Sequence, residues 1–243
     1  MAGGPGEGNI QKPGGRVGKR GHAMSEIEDA ALEGMMSRAT KSALIVVDVQ
    51  NDFCHEEGTV IKNRKADPSM IHRSVICLLP FIEKCRNFHV HIIFVRTLHS
   101  TWTDSPVWLK RINGAAENVC ICKPGSWGSE FYKIRPEDHD YIVTKHRYSS
   151  FFGTDLDLIL RSHGIETVLL TGVLTNVCVE TTARDAVNRD YNVILVENCC
   201  GALTRTEHEG AVNNISRYFG KVVCSGALLR VLGREYNDGS IQV

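Results

Sequence analysis

Six short runs rich in apolar and β-branched residues alternate with stretches of helical spacing, and this alternation constrains the fold most. The runs fall at 43–49 (broken only by Asp48), 89–97, 141–145, 167–170, 191–197 and 221–224. Between them, 69–88 places Ile71, Val75, Leu78, Ile82 and Cys85 on one helical face. Residues 155–162 predict a helix with Thr154 as its cap and Gly164 in the left-handed C-terminal position. Gly172 punctuates the end of the fourth run. Residues 177–188 again have helical spacing, with Val177, Thr181, Ala183 and Ala186 as inward positions. Further helices are predicted over 204–219 and 226–232. Strands without polar alternation are buried on both faces, so the pattern implies an α/β fold with a parallel sheet covered on both sides. Ligands in such sheets bind beyond the carboxyl ends of the strands.

The 243 residues suffice for one α/β domain with a substantial core, and 42% are apolar. Twenty-eight basic and 28 acidic residues cancel, so nothing calls for nucleic acid or an anionic membrane. No apolar run approaches the roughly 18 residues of a membrane span. The Gly-rich, basic start lacks the apolar core of a signal peptide. Residues 1–40 therefore read as a flexible extension, 41–233 as the domain and 234–243 as a tail, in a cytoplasmic protein. Nine cysteines, odd in number and without CxxC spacing, read mostly as reduced packing residues. The segment 98–140 has few clear periods, and Trp102, Trp108 and Trp127 lie in loop-like sequence. Such a stretch inside a compact domain suits a substrate-covering role or a surface elaboration. Lys110 and Arg111 form only a short basic pair, a solvated face or an anion contact.

Three polar residues end or follow buried-looking strands: Asp48 after ALIVV, Lys145 after YIVT, and Cys178 beyond TVLLTG. Each has a bland reading. Asp48 equally serves as a cap or an ion-pair partner, most lysines are solvated, and most free cysteines are packing residues. All three nevertheless fall at the carboxyl edge of one parallel sheet. A helix N-terminus and a lysine favour thiolate, and a carboxylate can take the thiol proton. The amides of Cys178 and Leu174 are suitably placed to receive an oxyanion. Phosphate-binding loops are absent. His99 has no close partner in TLHSTWTD, and Asp48 with His55 makes no compact ligand set. No metal or other cofactor is expected.

The segments ALIVVDVQNDF, KHRYSSFFGTDLDLILRSHGIETVLLTGVLTNVCVETTARDA and the tail from VENCCGAL resemble the isochorismatase-like cysteine hydrolase superfamily over roughly residues 41–232. Within it, KHRYSSFF and TNVCVE are most similar to the ureidoacrylate amidohydrolases. The resemblance implies a Rossmann-like three-layer sandwich with a mostly parallel central sheet and an Asp48–Lys145–Cys178 triad. It also implies a cis peptide between Val173 and Leu174 that turns amides into an oxyanion hole. On this reading Gln50, Phe53, Trp108 and Tyr148 line the pocket, and the stretch from Trp108 to Asn113 loosely matches a substrate-selecting segment. The Asp-x-His metal motif of nicotinamidases is missing from RTLHSTWTD. The implied activity is metal-free hydrolysis of a small linear amide or ureido compound. Its alternatives are cleavage of biuret or another N-carbamoyl compound, and isochorismatase-type vinyl-ether hydrolysis. Members of this superfamily often assemble as dimers or tetramers, so a homo-oligomer is expected.

Overall fold

In a computed structural model, which describes residues 30, 32–36, 38–113 and 121–237, the six apolar runs form one sheet. Its strands are β1 (Ser42–Val47), β2 (His91–Thr97), β3 (Tyr141–Lys145), β4 (Thr167–Val173), β5 (Asn192–Gly201) and β6 (Lys221–Val223). They lie in the order β3-β2-β1-β4-β5-β6, and every neighbouring pair is parallel. The order reverses between β1 and β4, both buried along their whole length. A parallel sheet opens a crevice at that reversal, beyond the carboxyl ends of its strands.

The period of two along a strand divides the core into two layers. Leu44 and Val46 of β1 pack with Ile71, Val75, Leu78 and Ile82 of one helix, Ser69–Asn87, and with Leu228 and Leu232 of another, Ser225–Asn237. Ala43, Ile45 and Val47 face the other way. They meet Leu156 and Leu160 of the helix Leu156–Ser162, and Ala183 and Ala186 of the helix Glu180–Val187. Helices on both faces of the sheet give the expected three-layer sandwich. Burying one such aliphatic side chain contributes about 1.5–3 kcal/mol, so the two layers hold β1 and β4 rigidly beneath the crevice.

Several local expectations are corrected. Gly172 does not end β4 but lies inside it, at φ +104 where the register with β5 shifts. A Cβ there would come within 2.1 Å of the Val47 carbonyl oxygen, so only glycine lets β1 and β4 approach so closely. Helical structure before residue 188 divides into a wide π-type turn, Thr175–Val179, and the helix Glu180–Val187. Val177 and Thr181 are consequently half-buried, while Val179 and Thr182 turn inward. The irregular stretch contains a helix, Pro106–Asn113. The last helix runs to Asn237, past the expected domain end. Leu32, Met36 and Ala39, placed in a flexible extension, are buried in the core. The rest of that expectation, residues 1–29, and the tail from 238 lie outside the described residues. Gly164 does take the left-handed conformation, at φ +63.

Candidate active site

Asp48, Lys145 and Cys178, separated by up to 130 positions in sequence, meet at the carboxyl edge of the sheet. Asp48 is the first residue after β1 and itself adopts a left-handed conformation, φ +51. Lys145 is the last residue of β3, and Cys178 sits in the π-type turn after β4. The Lys145 and Asp48 side chains are fully buried, with Lys145 Nζ 2.6 Å from Asp48 Oδ2. The same ammonium donates to Thr97 Oγ1 (2.8 Å), to the Arg147 carbonyl (3.0 Å) and to Cys178 Sγ (3.3 Å). Thr97 Oγ1 in turn donates to Asp48 Oδ1 at 2.9 Å. Asp48 Oδ2 takes no hydrogen bond beyond its ion pair with Lys145. One carboxylate oxygen is thus bonded to Thr97, and the other is paired with Lys145.

Burial outweighs the pull towards thiolate expected from a helix N-terminus and a lysine. Burial pushes the Cys178 thiol up to about 12. The Lys145 charge pulls it down by less than burial raises it, and the Asp48 charge adds to the rise. Burial also opposes the Lys145 ammonium, but Asp48 and Cys178 outweigh it and hold its pKa above the ordinary lysine value. The resting pair is therefore a thiol beside an ammonium. The Lys145 ammonium lies beside the sulfur, where it favours the charged form against burial.

Cys178, Lys145 and Thr97 open into a cavity of about 180 Å³, and Leu174 and Val177 of the turn form part of its wall. The Val173–Leu174 peptide is cis. Phe53, Trp108 and Tyr148, expected from the sequence, line the cavity. Trp108 packs on Tyr148 at 4.8 Å between ring centroids, and the Arg147 guanidinium lies 4.6 Å from the Trp108 ring centre. Gln50 requires correction. It is fully buried, and its amide is spent on backbone: it accepts from Thr97 N (2.7 Å) and donates to the Thr97 and Ser129 carbonyls (3.0 and 2.9 Å). It braces the end of β2 and does not face the cavity. The side chain of Asn113 lies outside the described residues.

Other lining residues escaped the sequence reading. His99 has a partner after all: its Nδ1 lies 2.9 Å from Asp104 Oδ1, both side chains being nearly buried. Residues 97 and 99 share a side of the extended chain leaving β2, which carries His99 to the same cavity as Thr97. Arg64, Arg111 and Arg147 also line it, and among the described residues no carboxylate does. The signals for Arg111 were its pairing with Lys110 and its place in the stretch from Trp108 to Asn113. Nothing in the sequence singled out Arg64, or gave Arg147 a role within KHRYSSFF, whereas Thr97 ends β2 as Lys145 ends β3. Among the described residues, no three His, Cys, Asp or Glu side chains are grouped so as to hold a metal ion. No helix among them is long and apolar enough to cross a membrane.

A parallel α/β sandwich with a buried thiol, ammonium and carboxylate at its switch point defines the class, and comparison with known proteins places the chain within it. The isochorismatase domain matches residues 42–227, and the chain belongs to the isochorismatase family of hydrolases. Ureidoacrylate amidohydrolase of Methylobacterium radiotolerans is 31% identical over 78% of this chain and 79% of its own length. Among solved structures, a cysteine hydrolase from Pseudomonas syringae superposes with a TM-score of 0.73 at 25% identity, covering 82% of this chain and 95% of its own. N-carbamoylsarcosine amidase from Thermoplasma acidophilum gives 0.63 at 35% identity, covering 76% and 96%.

Proposed function

We propose that this protein is a cysteine amidohydrolase acting on a small linear amide or ureido compound that carries a carboxylate. The observation that carries the reading is the contact chain Asp48–Lys145–Cys178 at the base of a cavity lined by three arginines. Asp48 Oδ2 removes the thiol proton as Sγ attacks the substrate carbonyl, and Lys145 stabilises the sulfur as it gains charge. The tetrahedral oxyanion rests on the amides of Leu174 and Cys178. Protonated Asp48 returns its proton to the departing nitrogen, which leaves as ammonia or amine. Asp48, again a carboxylate, activates a water that cleaves the thioester or thiocarbamate and regenerates the thiol. No step calls on a metal.

Substrate class follows from charge. A guanidinium binds a carboxylate in a two-pronged geometry that a neutral amide does not match. Names of relatives agree in kind: one is a ureidoacrylate amidohydrolase and another an N-carbamoylsarcosine amidase. The test is a panel of ureidoacrylate, N-carbamoyl amino acids, biuret and nicotinamide, scored for ammonia with wild type and Cys178→Ala. Turnover is expected for the carboxylated compounds ahead of biuret and nicotinamide, with a covalent adduct on Cys178 in intact-protein mass spectra. Full turnover by Cys178→Ala would refute covalent catalysis. Product without ammonia or amine would point instead to ether cleavage.

A further inference from the structure

The turn that carries Leu174 and Cys178 is held by a second set of polar side chains, none of which lines the cavity. Thr175, next to Leu174, is fully buried, and its Oγ1 lies 3.0 Å from His208 Nδ1. His208 belongs to the helix Arg205–Asn214, and its Nε2 lies 3.8 Å from Glu197 Oε1 on β5. Burial holds the His208 pKa below the ordinary histidine value, so the ring is neutral at pH 7. A neutral imidazole has one N–H and one acceptor nitrogen. With the N–H on Nε2, towards the Glu197 carboxylate, Nδ1 accepts from the Thr175 hydroxyl. In that tautomer the ring N–H faces the Glu197 carboxylate at 3.8 Å, beyond hydrogen-bond length, and the Thr175 hydroxyl points towards Nδ1.

We infer that His208 is a positioning residue for the oxyanion turn, acting through the Thr175 hydroxyl to fix the direction of the Leu174 amide. This rests on the proposed function for its catalytic consequence but not for its structural one. A buried hydroxyl without its acceptor rotates or seeks another partner, and the backbone on either side of Thr175 loses its anchor. Donor direction matters in the transition state more than in substrate binding, so the loss falls on kcat.

Two readouts test this. Steady-state kinetics and backbone hydrogen exchange over 174–179 are measured for wild type, His208→Ala, His208→Asn and Thr175→Val. Asparagine places a carbonyl oxygen near the position of Nδ1. For His208→Ala, kcat should fall between about threefold and 10²-fold, short of the 10²–10³ lost with a whole donor, while KM changes less than twofold. Exchange over 174–179 should accelerate at unchanged exchange in β1. His208→Asn should restore most of both, Thr175→Val should match the alanine variant, and the double variant should be no worse than either. Wild-type exchange in His208→Ala, or an asparagine variant no better than alanine, would overturn the inference. Should wild type turn over no member of the panel, the proposed function fails, and hydrogen exchange still decides the role of His208.

Discussion

The cavity has one part contributed by strand ends and another contributed by loops and short helices. Asp48, Thr97 and Lys145 stand at the ends of β1, β2 and β3, with Cys178 in the turn after β4. Their side chains bond mainly to one another, and Asp48 and Lys145 are completely buried. Arg64 and Arg111, by contrast, are exposed residues of Thr59–Arg64 and Pro106–Asn113, and their guanidinium groups have no ion-pair partner among the described residues. Sheet geometry fixes the thiol, ammonium and carboxylate in place, and exposed arms carry the positive charge around the cavity. A site divided this way can alter what it accepts without disturbing the groups that react.

The division can be broken first at the sulfur. Cys178→Ala should lower turnover by more than about 10⁴-fold, the scale at which nucleophile removal is felt, with little change in the urea unfolding midpoint. Comparable losses in activity and stability would mean that the cysteine mainly packs. Next is Lys145→Met, which leaves the Asp48 carboxylate buried without its cation. That should cost about 3–5 kcal/mol of stability, and adding Asp48→Asn should recover part of it. A strictly additive double variant would show that the two side chains do not act as a pair.

The loop-borne part should respond differently. Arg111→Ala should raise KM by about tenfold for a carboxylated substrate, equivalent to about 1.4 kcal/mol of uniform binding. It should leave kcat nearly unchanged and do little to a neutral amide. Equal effects on charged and neutral substrates would remove the case for carboxylate recognition. A separate effect, on stability and summed over several side chains, concerns pH. Burial raises the thiols of Cys54, Cys85, Cys122, Cys178, Cys199 and Cys200 above their ordinary value of 9.0. Above pH 9 the unfolded chain releases protons that the native chain retains, so stability is full below pH 9 and falls as pH rises. Each thiol contributes up to about 1.4 kcal/mol per pH unit. Denaturant unfolding at pH 7.5, 9 and 10 checks the sign, and Cys178→Ala should make the decline shallower. A flat profile would show that the cysteines titrate alike in both states.

Legibility followed the same division. Continuous apolar strands announced a parallel sheet, because no other common arrangement buries both faces of so many short runs. A parallel sheet in turn places every strand's last residue on one edge. Asp48 and Lys145 could therefore be read from local patterns, and Cys178 from the strand-to-helix switch. Gln50 was misread because a buried amide can serve a ligand or the backbone, and only the positions of Thr97 and Ser129 decide between them. His99 looked unpartnered because Asp104, five residues on, reaches it only through the fold of the connecting turn. Nearby positive charge was read as favouring thiolate, yet the amount of water excluded around Cys178 is decided by tertiary packing.

Chain order and residue type alone determined the alternation of strand and helix, the parallel sheet, and the edge on which a sulfur, an ammonium and a carboxylate had to lie. These follow from short-range periodicity and from the fixed direction of parallel strands. Tertiary packing decided which side chains face the cavity, which braces hold the turn, and how far burial outweighs charge at the thiol. Those outcomes depend on distances between residues far apart in sequence, and a local pattern carries no information about such distances.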